Sequence, residues 1–130
     1  MTPVQFEAAV ASRFPRLAGE VAQDQGLLHV VMGDLYRYAQ DQLAKRDWKE
    51  LDRVFRLLEE AHRESRTDIE NAIRVSFLEY FEFQGHEEEV RRLCGQTLNS
   101  LYEDQMKHME DLARRAAEQR ASADADDPRR

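Results

Sequence analysis

Apolar side chains recur at helical spacing along nearly the whole chain, and the pattern breaks only at a few prolines and glycines. That periodicity, in a chain with only 5 Gly and 3 Pro among 130 residues, restricts the fold to helix packed on helix. Thr2 is suited to cap a first helix, with Pro3 at its first position, where a missing N–H costs nothing. That helix runs to about Arg13 and buries Phe6, Val10 and Phe14. The Phe14-Pro15 step interrupts it, because a residue before proline is pushed out of the α region. A short helix from Pro15 to about Gln25 follows, and Gly26 punctuates it.

The stretch Leu27–Lys45 is amphipathic. Leu27, Leu28, Val31, Met32, Leu35, Tyr36, Tyr38, Ala39 and Leu43 occupy one half of its wheel. Asp34, Arg37, Gln40 and Asp41 occupy the other, with Val30 as the apolar exception. Asp47–Glu50 and Thr67–Glu70 read as capping boxes. Between them Trp48, Leu51, Val54, Phe55, Leu58 and Ala61 form a stripe. Residues 69–83 are apolar around most of the circumference, which marks a central helix, ended by Gly85. A short helix over Glu87–Cys94 stops at Gly95. A last one, about Thr97–Arg120, lines up Leu98, Leu101, Tyr102, Met106, Met109, Leu112 and Ala116. The expected architecture is all-α, an irregular compact bundle of about six helices. Residues 1–121 form one domain, and a polar tail over 122–130 is expected to be disordered.

Formal net charge is −7, and the excess is uneven. Met1–Leu58 is balanced, whereas Glu59–Asp111 holds 14 acidic and 6 basic residues. Such a balance disfavours nucleic acid, whose phosphates need a clustered positive field, and suits a basic protein partner. A single cysteine, Cys94, fits a reducing compartment. The N-terminal residues lack the pattern of a signal peptide, and no run is apolar enough to span a bilayer. The expected location is cytoplasmic, away from membranes.

Catalytic signatures are missing from the sequence: it has no phosphate-binding glycine loop, no nucleophile elbow and no Cys-x-x-Cys. Cys94 sits at a helix end, where the dipole disfavours a thiolate, so a structural role is expected. Glu59 and His62 have the Glu-x-x-His spacing of helical di-iron sites, but no second pair accompanies them. Glu79, on the central helix, should be buried and paired, with Arg37 or Arg74 as its partner. Glu59, His62 and Glu79 are the residues around which a metal or small-ligand site would form. No metal or other cofactor is otherwise expected. The run Glu87-Glu88-Glu89 after His86 suits the positive end of a helix.

Several stretches carry a resemblance: Phe14-Pro15, Val31-Met32-Gly33-Asp34, Val75-Ser76-Phe77-Leu78-Glu79, Leu93-Cys94-Gly95 and Leu98. Through them the chain resembles a group of small bacterial helical proteins classified only as a domain of unknown function. Its acidic helical style is also similar to that of immunity proteins of bacterial toxin systems, which dock on a cognate toxin and occlude it. That resemblance implies no catalytic residues. The leading expectation is therefore a non-catalytic interaction protein that docks on a basic toxin or effector. Glu82, Glu87, Glu88 and Glu89 would be its contacts, and Tyr80 or Trp48 its anchor. The alternative is a homo-oligomeric structural or regulatory protein, such as a homo-dimer, that uses the last helix as its interface.

Overall fold

A computed structural model describes residues 1–64 and 68–125, and every regular element among them is helical. The chain runs α1 (Pro3–Arg13), a 3-10 turn (Pro15–Leu17), α2 (Ala18–Gln23), α3 (Leu28–Ala44), α4 (Trp48–Glu64) and α5 (Asp68–Ile73). Helix α5 passes directly into a π turn (Arg74–Leu78), followed by α6 (Glu87–Leu93) and α7 (Gln96–Ala125).

Local chemistry sets these boundaries. Thr2 caps α1 with Pro3 at the first helical position, as the sequence suggests, and Gln5 completes a reciprocal capping box. Helix α3 ends with Arg46 in the left-handed region, at φ 56°, while the Asp47 amide reaches back to the Gln42 carbonyl. The Asp47 side chain then accepts from the Glu50 amide and opens α4. The return half of that box is absent, because Glu50 turns instead to Tyr38 and Arg53. The second expected box starts at Thr67, which lies outside the described residues.

The core gathers Phe6, Val10 and Phe14 from α1, Val31, Met32, Leu35 and Leu43 from α3, and Leu51, Val54, Phe55 and Leu58 from α4. Ile69, Ile73 and Phe77 close it. Phe77 stacks on Phe81 at 5.5 Å and meets Phe55 edge-on at 5.9 Å. From Phe81 the aromatic contacts pass to Phe83 and on to Tyr102 of α7.

Three expectations need correction. The central helix does not extend over 69–83. The Glu79 amide bonds the Arg74 carbonyl five residues back, which widens the turn, and the regular helix stops there. Nor is it covered on all sides, since Val75 and Tyr80 are exposed. Asp34, placed on the solvent half of α3, is only 3% exposed, because α2 lies across that side. Helix α7 continues to Ala125, beyond the expected end at Arg120; residues 126–130 lie outside the described residues.

Removing the ring at the centre of the aromatic cluster tests this packing. Phe77→Ala is expected to cost about 3–5 kcal/mol in chemical denaturation. A loss below about 1 kcal/mol would show that Phe77 is not the pivot of the core.

Candidate functional site

The irregular segment after α5 is strapped to α3 by a row of polar side chains. His29 Nδ1 lies 2.9 Å from Ser76 Oγ, and the Tyr36 hydroxyl donates to the Tyr80 carbonyl. Gln40 donates through Nε2 to the Glu82 carbonyl and accepts from the Glu82 amide through Oε1. The spacing 29, 36, 40 keeps these side chains on one helical face, so α3 acts as a template for backbone that has left helical geometry. The His29–Ser76 pair was not foreseen from the sequence, because 47 residues separate its members. Nearby Leu27, Val30, Val75 and Tyr80 leave an apolar rim exposed.

The expected acidic contacts fall at two places. Glu82 is exposed, with its backbone held by Gln40. Glu87, Glu88 and Glu89 form the exposed first turn of α6. Glu88 pairs with Arg92, and Glu89 lies 3.9 Å from His86. Trp48 is half-buried, edge-on to the His86 ring at 5.3 Å, so it joins this end of α6 and does not stand free. Tyr80 belongs to the α3 seam instead. Between α6 and α7 an open groove carries Arg91, which donates to Glu103 and Asn99 and lies over the Tyr102 ring.

The structure does not bring Glu59, His62 and Glu79 together. Glu59 reaches from α4 to the start of α7 and accepts from the amides of Thr97 and Leu98, at 3.2 and 2.8 Å. Its carboxylate neutralises the positive end of that helix. Gly95 makes room for it, since a Cβ there would lie 2.5 Å from the Glu59 carboxyl carbon. His62 is mostly buried and lies 3.7 Å from Glu70. Glu79 is exposed, contrary to its expected burial: it shares the Val75 side of the turn, which opens to solvent. Its expected partners are engaged elsewhere, Arg37 with Asp34 and Arg74 with Glu70. Among the described residues no group of three or more His, Cys, Asp or Glu is placed to hold a metal ion. Burial pushes the Cys94 thiol up to about 12, which disfavours the thiolate at neutral pH.

Two carboxylates are buried without warning from the sequence: Glu7, which accepts from the Gly26 amide, and Asp34. Asp34 has no backbone donor. Its Oδ1 takes Arg37, while its buried Oδ2 has no hydrogen-bond donor. Burial first, then the adjoining Asp24 carboxyl and Glu20, raise its pKa to about 6. The signal was faint: an acidic residue on the polar half of a wheel gives no warning that a second helix will cross that half.

Helix α7 is anchored at one end only. Leu98, Leu101 and Gln105 are buried, and Tyr102 is half-buried. From Met106 to Ala123 no side chain is buried, although Met106, Met109 and Leu112 continue the same face. The half-helix that carries them runs on for about 30 Å at 1.5 Å per residue.

These features define an all-helical protein with an irregular strapped segment and a projecting terminal helix. The chain belongs to the family described as a domain of unknown function, DUF7674, whose model matches residues 8–110. The end of the projecting helix therefore falls outside the matched region. No curated protein and no solved structure matches the chain. No helix among the described residues is long and apolar enough to cross a membrane.

Two outcomes test this geometry. Glu59→Ala is expected to destabilise the protein by about 1–2 kcal/mol, as loss of a helix cap does. Gly95→Ala should do so too, by displacing the same carboxylate. Asp34 binds its proton more tightly folded than unfolded, so its contribution weakens stability as pH rises from its ordinary 3.8 towards about 6. Denaturation midpoints of Asp34→Asn should therefore gain on the parent over that interval and hold the gain above it. Parallel profiles for the two proteins would refute the assignment.

Proposed function

We propose that the protein is a non-catalytic protein-binding module. The observation that carries this reading is the projecting half of α7, where Met106, Met109 and Leu112 lie exposed on a face continuous with one the bundle buries. Apolar residues in a line at helical spacing, rimmed by charge, mark a surface that gains by being covered.

A finer form of the reading is immunity-type inhibition of a basic toxin or effector in a bacterial cytoplasm. In its support, Glu82 and Glu87 are exposed and form no ion pair with another described residue. They would steer a basic partner toward the end of α6, with Glu88 and Glu89 adding to the field and Tyr80 or Trp48 as the apolar contact. Association driven this way slows as salt rises.

The test is affinity capture from the native host with the parent chain and two double variants. Met109→Glu with Leu112→Glu should abolish capture of a stoichiometric partner. Glu82→Lys with Glu87→Lys should slow association with a basic partner by about tenfold at low salt. Capture that is indifferent to the first pair rejects α7 as the binding surface, and indifference to the second rejects the immunity-type form.

A further inference from the structure

The uncovered face of α7 has a definite composition. Met106, Met109, Leu112, Ala113 and Ala116 continue the line that Leu98, Tyr102 and Gln105 begin inside the bundle. Most helical stability in proteins comes from packing, and from Met106 to Ala123 the bundle buries no side chain of this helix. A second helix laid along this stretch would remove the methionines from water and hold the segment helical. Ala113, Ala116 and Ala117 leave room for a close approach, toward the lower end of the usual separation of about 8–10 Å.

The charges along the same stretch select the occupant. In Glu103–Asp111, four acidic residues outweigh Lys107, for a net −3. In Leu112–Arg120, Arg114, Arg115 and Arg120 outweigh Glu118, for a net +2. Three of these charges already have partners, Asp111 and Arg114 with each other and Glu103 with Arg91, and the polarity along the helix persists beyond them. A uniformly basic or acidic partner helix would suit one stretch and be repelled by the other. A parallel copy would set like against like. An antiparallel copy sets each acidic stretch against the basic stretch of its mate.

We infer that the protein pairs with a second copy of itself through antiparallel contact of the projecting halves of α7. The contact is isologous, with a two-fold axis near Asp111 and Leu112, where the acidic and basic stretches meet. This rests on the protein-binding reading above and names the partner for that surface.

Sedimentation equilibrium of the full chain across the micromolar range, at low and high salt, tests the pairing. The expected result is a monomer–dimer equilibrium whose dissociation constant rises about tenfold or more with added salt. Met109→Glu with Leu112→Glu should give a monomer whose denaturation midpoint matches that of the parent at dilutions where the parent is also monomeric, because neither side chain is buried in the bundle. Arg114→Glu with Arg115→Glu should also be monomeric, and mixing it with Glu110→Lys, Asp111→Lys should restore a one-to-one pair. A parent chain that stays monomeric, a dimer that survives the Met109 and Leu112 changes, or one that tightens with salt overturns the inference. A monomer that still captures a foreign protein through Met109 and Leu112 sinks self-pairing alone. A monomer with no capture dependent on those residues sinks the binding reading as well.

Discussion

The stacking of Phe77 on Phe81 is the contact on which the rest of the arrangement depends. It forms because a π turn, not a further turn of α-helix, delivers Phe77 into the core and releases the chain soon afterwards. From Phe77 one line of rings runs to Tyr36 of α3, another to Phe55 of α4, and a third through Phe81 and Phe83 to Tyr102 of α7. Three long helices therefore meet around a segment that is not itself regular. The polar straps from α3 follow from this, since backbone that leaves a helix still needs partners for its amides and carbonyls. Gln40 supplies both kinds at Glu82.

Buried charge is handled by two opposite devices. Glu59 takes its partners from the amides that open α7, so one carboxylate links α4 to a helix that starts more than thirty residues later. Glu7 does the same on a smaller scale, accepting from the Gly26 amide ahead of α3. Asp34 has no such backbone donors. Its burial beside Asp24 favours the protonated acid, and Arg37 only partly offsets that preference. The first device strengthens the fold at neutral pH, whereas the second weakens it there.

Much of this could be read from the residues. The Thr2 cap, the span of α1, the edges of α3 and the stripe of α4 all follow from periodicity and end signals that act within a few residues. The failures share a cause: they depend on something distant in the chain. A wheel drawn at a constant angle could not anticipate the π turn, and so it misplaced Glu79. Asp34 was misjudged because the cover comes from α2. The Glu-x-x-His spacing of Glu59 and His62 suggested a shared site, yet the two side chains serve different neighbours, the α7 amides and Glu70. Most instructive is α7, whose stripe runs evenly from Leu98 to Ala116 while cover from the bundle ends at Gln105. Periodicity shows which face needs covering, but not whether the same chain supplies the cover.

The one-sided anchoring of α7 has a mechanical consequence. A helix is stiff along its axis, and this one is clamped by Glu59 at its first turn and by Leu98, Leu101 and Gln105 beyond it. The remainder is a lever arm of about 30 Å. A tilt of about 5° at the clamp sweeps the far end through about 2.6 Å over that length. Force applied at the tip returns to the clamp as torque, where it bears on Gly95 and the Glu59 carboxylate. Whatever holds the end of α7 therefore also pulls on the junction between α4, α6 and the aromatic core.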